Sequence, residues 1–281
     1  MSFVIAVYVT EGIVMASDSR QSVNIEGRNP EGKEFKVETV NSDAIIKTFL
    51  LEKPHIGISS FGQDLLGNTP IASHIKRFIE EELTVKNDST TIPKELNETL
   101  GKSFPDKFIE EQLTTRDDVT TIPKKMVEYF RRSFPTADAG FHIAGYRKEG
   151  KISIPYVYSC HVARNIVERR NIKPDGTLAY GATWSGQGDI LSSILIPVTV
   201  KDQKGNDKVV RSPAPIIWDA MALQDAIDFS IYAIRTTIDT MRFQARPKNV
   251  GGPVDVLLIS PDEPPKWIQR KEFRGEMGWS T

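Results

Sequence analysis

The chain reads as an α+β layered domain, and three observations predict it. β-rich runs broken by turn signals fill its first 60 residues, an amphipathic helix then gives way to more strands, and one long helix precedes two closing strands. A doubly wound fold would alternate strand and helix throughout, which this order does not do.

Phe3 to Val9 and Ile13 to Ala16 are apolar, β-branched runs around the turn signal Thr10-Glu11-Gly12, so they predict a hairpin ending at Ser17-Asp18-Ser19-Arg20. Gln21 to Asp43 is polar and Gly-containing and reads as a long loop. Strand character returns at Ala44 to Leu51 and at His55 to Ser60, before Phe61-Gly62 breaks the run. Ile71, Ile75, Phe78, Ile79 and Leu83 then fall at helical spacing. Next comes a duplication: Phe78 to Pro105 and Phe108 to Pro135 match at 16 of 28 positions with an offset of 30. Solenoid arrays need at least about three units, so two copies read as a local tandem duplication within one domain spanning 1–281. In each copy Thr-Thr-Ile-Pro-Lys has the form of a helix start, since proline is tolerated in a first turn.

Gly140 to Gly145, Ile152 to Tyr158 and Leu178 to Gly181 read as strands, and Val198 to Val210 as a hairpin turning at Lys204-Gly205-Asn206. Trp218 to about Phe243 has the length and period of a helix, with Ala222, Ala226, Phe229, Ala233 and Ile234 on one apolar face. Val254 to Ile259 and Lys266 to Lys271 close the chain as strands.

Composition excludes several classes. With 36 Lys+Arg against 37 Asp+Glu the formal charge is −1, which lacks the basic excess of a nucleic-acid or acidic-membrane binder. The longest apolar run, Phe3 to Val9, is seven residues against the roughly 18 of a membrane span. Met1-Ser2 leads straight into a strand without the pattern of a secretory signal, so the expected location is cytoplasmic. Cys160 is the one cysteine and His55, His74, His142 and His161 are scattered, so no disulfide and no zinc spacing is expected. Cys160-His161 is not a thiol-imidazole pair, because adjacent strand residues point to opposite faces.

The front of the chain carries the chemistry. A hydroxyl residue, Ser2, follows the initiator methionine, and a strand-turn-strand delivers Asp18 and Arg20 16 and 18 residues later. Once Met1 is removed, Ser2 bears an α-amine of pKa about 7.7–8.0, against about 10.4 for lysine, which suits it to act as general base at neutral pH. A cation that holds this amine's pKa down and a carboxylate that orients the cation complete such a site; Lys47 with Asp18 is the candidate pair. Plainer readings stand beside this one. Asp18 and Arg20 fit a structural ion pair, Lys47 a solvated edge-strand lysine, Gly62 a tight turn, and Ser185 a helix N-cap.

These residues resemble the proteasome-type branch of the N-terminal-nucleophile hydrolases, close to the bacterial-type proteasome β-subunit, over nearly the whole chain outside the duplication and a few insertions. The match runs through Ser2, the motif Ala16-Ser17-Asp18-Ser19-Arg20, Lys47 in Ile46-Lys47-Thr48-Phe49, and Gly62 in Ser59-Ser60-Phe61-Gly62. It continues through Phe141 to Tyr146, Tyr180 to Gln187 and Val250 to Ser260. The chain departs from the family where an Asp and a Ser normally precede the double glycine, since Pro247 and Val250 stand there. It also has Ser in place of the commoner Thr nucleophile, and a longer loop after Arg20.

The resemblance implies a four-layer αββα sandwich and a threonine/serine-type peptidase. Ser2 would be its nucleophile, Asp18 and Lys47 its electrostatic support, the Gly62 N–H an oxyanion donor, and Arg20 and Ser185 supporting residues. It implies no cofactor or metal, a homo-oligomeric ring, a peptide or unfolded-protein substrate, and an unidentified ATPase unfoldase as a further partner. Two other functions remain open: a catalytically silent ring or scaffold subunit, and a small-molecule amidase on the same fold.

Overall fold

The computed structural model describes residues 2–83, 117–202 and 204–272. Strands β1 (Phe3–Tyr8) and β2 (Ile13–Ser17) form the expected hairpin, closed by the Val9 N–H on the Gly12 carbonyl at 3.0 Å. Every residue of both strands is buried, as their unbroken apolar runs require of strands covered on both faces. The expected loop over Gln21 to Asp43 is instead a second hairpin, β3 (Gln21–Arg28) and β4 (Glu34–Ser42), which among the described residues pair only with each other. Its polar sequence hides the strands because they have little core to face: Ile25, Phe35, Val37 and Val40 are exposed.

β5 (Thr48–Leu51) begins four residues later than expected, leaving Lys47 just ahead of it, and β6 (Ile56–Gly62) continues through Phe61-Gly62 where a break was predicted. A short pair, β7 (Leu65–Leu66) and β8 (Thr69–Pro70), leads into α1 (Ile71–Phe78), which widens into a π turn over Ile79–Leu83. The first copy's helix start and most of the duplication lie outside the described residues. The second copy supplies α2 (Ile122–Ser133), with Pro123 in its first turn and Ile122, Met126, Val127 and Phe130 as its buried stripe.

β9 (Ala139–Glu149) and β10 (Ile152–His161) form the longest hairpin, followed by β11 (Ile166–Arg169), which the sequence reading did not separate out. The strand expected at Leu178 to Gly181 is shifted: β12 spans Gly181–Gly186, and Leu178 makes only an isolated bridge to Ile172. α3 (Asp189–Leu195), the hairpin β13 (Val198–Lys201) and β14 (Asp207–Arg211), and α4 (Leu223–Phe243) follow. α4 starts five residues later than predicted because Trp218–Ala220 is a separate 3-10 turn. β15 (Asp255–Ile259) and β16 (Lys266–Gln269) end the described chain's strands.

These strands build an α+β structure around two five-stranded antiparallel sheets, ordered β12-β1-β2-β15-β16 and β11-β10-β9-β6-β5. Period-two alternation sorts their side chains. Phe3, Ile5, Val7, Val14 and Val256 of the first sheet pack with Leu191, Ala226, Ala233 and Ile234 of α3 and α4. Ala6, Met15 and Leu257 point the other way and meet Ala144 and Val157 of the second sheet. Ala139, Phe141 and Ile143 turn from that contact toward Ile75, Met126 and Phe130 of α1 and α2. Phe130 stands 4.9 Å, centroid to centroid, from Phe141, and truncating so buried a ring costs about 3–5 kcal/mol. Two hydroxyls buried within α4 are satisfied locally, Ser230 on the Ala226 carbonyl at 2.7 Å and Thr237 on that of Ala233 at 2.9 Å. Among the described residues no helix is long and apolar enough to cross a membrane.

Candidate active site

Ser2 lies at the entrance of β1 with no exposed surface, its carbonyl accepting the Gln187 N–H at 2.8 Å. The next residue is clamped by Asp18, which follows β2: the Phe3 N–H donates to Asp18 Oδ1 at 2.9 Å, and the Asp18 N–H returns to the Phe3 carbonyl at 3.2 Å. Lys47 Nζ donates to the same Oδ1 at 2.8 Å and to the Arg20 carbonyl at 2.6 Å. Asp18 Oδ2 accepts the N–H groups of Arg20 and Gly251, each at 3.1 Å. Four donors thus occupy roughly the four lone-pair directions of an ionised carboxylate. Both side chains of the Lys47–Asp18 pair are 0% exposed, which overturns the solvated edge-strand reading of Lys47.

The plainer reading of Asp18 and Arg20 as a structural ion pair is not met through the Arg20 side chain. That guanidinium turns outward in a fork onto Asp43, at 2.6 and 2.8 Å, and donates to the Lys248 carbonyl at 2.9 Å. Its hydrogen bond holds the Asp43 carboxyl below the usual range. A Cβ on Gly251 would come within 2.4 Å of Arg20 Cζ, so the double-glycine segment is what lets the final loop close over this turn.

Gly62 ends β6 at φ +88°, and a Cβ there would stand 2.2 Å from the Asp138 carbonyl oxygen. Both a left-handed turn and a close backbone approach therefore demand glycine. Gly62 also forms part of the wall of a groove of about 440 Å³, with Gln21, Val23, Asp64, Leu65 and Asp138.

Ser185 sits apart from Ser2. It pairs with Val4 across the first sheet, and its Oγ lies 2.9 Å from Nε2 of His142 on the second sheet. It is not the N-cap expected for α3; that position is Gly188, with no side-chain cap, because the helix begins only at Asp189. Burial, with a smaller push from Arg170, lowers the His142 pKa to about 3, so the imidazole is neutral at ordinary pH. Cys160 is buried in the core, its thiol pushed up to about 12 by burial, while His161 contacts Asp138 at 3.0 Å.

Three residues near Ser2 escaped the sequence reading. Asp64 accepts a hydrogen bond from the Ser2 hydroxyl at 3.5 Å, and burial raises its pKa against the attraction of Lys47. Gln187 holds the Ser2 carbonyl, and its side-chain oxygen accepts from Asn249 Nδ2 at 3.4 Å. Asn249 lies between Pro247 and Val250, so a polar side chain is present in that segment, two positions after Pro247 and one before Val250. Asp64, two residues past Gly62, could have been found as a carboxylate following the proposed oxyanion glycine.

No protein-family model matches the chain, and no curated protein matches its sequence. Among solved structures it is similar to Anbu from Hyphomicrobium sp. strain MC1, at TM-score 0.51 and 14% identity over 96% of this chain and 88% of that one. A Gly-1 mutant of Anbu from the same organism matches at TM-score 0.51 and 14% identity, over 95% and 87% of the two chains. Anbu from Yersinia bercovieri, described as an ancestral β-subunit, matches at TM-score 0.50 and 14% identity over 95% and 86%. These likenesses support a proteasome-like fold.

Proposed function

We propose that the chain is an N-terminal-nucleophile amide hydrolase of the proteasome-type peptidase class, on a four-layer αββα sandwich, working in a homo-oligomeric assembly. The observation that carries this reading is the buried Asp18 carboxylate, which joins the Lys47 ammonium to the backbone N–H of the residue next to Ser2. The three apolar clusters, helix to sheet, sheet to sheet and sheet to helix, support the layering.

With Met1 removed, the Ser2 α-amine takes the hydroxyl proton as Oγ attacks the scissile carbonyl. The Gly62 N–H stabilises the resulting oxyanion. The C–N bond then breaks, the proton passes from the α-amine to the leaving amine, and water hydrolyses the Ser2 ester. Lys47, pinned by Asp18 and the Arg20 carbonyl, supplies a fixed positive charge that holds the amine's pKa down. Arg20 keeps its own turn in place through Asp43. Ser185 acts at a distance, as a link between the sheets through His142.

The test is the intact mass of the purified chain before and after a covalent inhibitor directed at N-terminal nucleophiles. Loss of one methionine followed by one adduct, abolished in Ser2→Ala, is the expected result. A retained Met1 with no adduct overturns it in favour of a silent scaffold subunit, a reading favoured by the apolar side chains of Pro247 and Val250. Turnover of small amides but not peptides would point to an amidase.

A further inference from the structure

We propose that Asp64 makes this a hydrolase selective for substrates with a positively charged side chain, arginine or lysine, beside the scissile bond; this rests on Ser2 being the nucleophile. Asp64 Oδ1 lies 3.5 Å from Ser2 Oγ, so a group paired with this carboxylate is within one side chain's reach of the reacting carbonyl. The groove beside it, about 440 Å³, has room for a long side chain. Val23 and Leu65 offer apolar surface for a methylene stem, Asp64 offers the charge, and among the described residues no lysine or arginine lines the groove.

Asp64 is also short of partners. It is 9% exposed, and among the described residues its carboxylate accepts only the long bond from Ser2 and joins no ion pair. Lys47 attracts it through space, but the Lys47 hydrogen bonds go to Asp18 and the Arg20 carbonyl. A carboxylate buried without compensation is unfavourable, and a guanidinium or ammonium entering the groove would supply the missing charge-assisted bonds. A neutral side chain of the same length would seal Asp64 from water without pairing it, and an acidic one would add repulsion from Asp64 and from Asp138, whose side chain is 85% exposed. The groove therefore selects by sign of charge.

The test is kcat/KM on a peptide series in which the residue on each side of the cleaved bond is arginine, its neutral isostere citrulline, norleucine or glutamate. The expected result is a preference for arginine over citrulline of about ten-fold or more on one side of the bond, near unity in Asp64→Asn and retained in Asp64→Glu. In parallel, binding of the arginine and citrulline peptides is measured calorimetrically on Ser2→Ala, with and without Asp64→Asn, so that charge selection is read without turnover. Equal rates or affinities for arginine and citrulline, or a preference that survives Asp64→Asn, would overturn the proposal. An inhibitor adduct on Ser2 without charge selection sinks this inference alone; charge-selective binding without any adduct sinks the nucleophile reading and leaves Asp64 as a recognition residue.

Discussion

Asp18 and Asp64 flank the same serine, and both are buried, but they are built in opposite ways. Asp18 receives three backbone N–H groups and an ammonium, whereas Asp64 receives one long bond from a hydroxyl. A carboxylate saturated by one donor on its own turn and three on distant segments ties those segments together and has no capacity left for a ligand. One left short, which among the described residues receives only the Ser2 hydroxyl, stays open to a charge from outside. On the function proposed above, the two sides of Ser2 separate holding the nucleophile from choosing what reaches it.

The most direct way to break this contrast is Asp18→Ala. It leaves Lys47 charged, fully buried and without its partner, so it should destabilise the fold by about 3–5 kcal/mol in denaturant unfolding. Replacing both partners, Asp18→Leu with Lys47→Met, should abolish adduct formation and regain only the part of that loss that comes from the unpaired charge, because the N–H groups of Phe3, Arg20 and Gly251 still lose their acceptor. A loss in Asp18→Ala no greater than in Asp64→Ala would erase the distinction.

His142 sharpens the contrast from between the sheets. Its folded pKa of about 3 lies below the ordinary value of 6.5, so as pH falls below about 6.5 the unfolded chain binds a proton that the native one refuses. Stability should then fall by about 1.4 kcal/mol per pH unit from this group. His142→Phe should flatten that slope in melts between pH 6.5 and 4.5.

Asp64→Asn has the smallest effect and the opposite sign. The native carboxyl titrates above its unfolded value, so its ionised form weakens the fold above that folded pKa. The variant should melt a few degrees higher at pH 8. That gain should shrink as pH falls through the folded pKa and vanish below about 4, where both states are protonated.

Much of the candidate site's geometry was legible because it depends on local spacing. Asp18 and Arg20 end a hairpin whose turn, Thr10-Glu11-Gly12, announces itself, and Gly62 stands where a left-handed turn leaves few alternatives. Lys47 could be placed by its motif, but neither its burial nor the outward turn of Arg20 onto Asp43 could, since each is set by segments distant in the chain. The polar run from Gln21 to Asp43 read as a loop because its hairpin has little core to bury, and periodicity reports burial more than pairing. Ser185 was misassigned for a related reason: whether a Gly-rich segment ends a strand or caps a helix depends on which strand it pairs with, and its pairing with Val4 aims it at His142.

By itself, then, the sequence determined the α+β class, the hairpin that delivers Asp18, and the apolar runs that had to be covered on both faces. Turn chemistry and hydrophobic period act over a few residues and need no partner to be read. Only the tertiary structure decided that Asp64 rather than Ser185 meets the Ser2 hydroxyl, that Asn249 and Gln187 join beside it, and that one carboxylate is saturated while the other is left short. Those outcomes depend on donors from residues up to 233 positions away, and a buried group's charge state is set by what surrounds it in space.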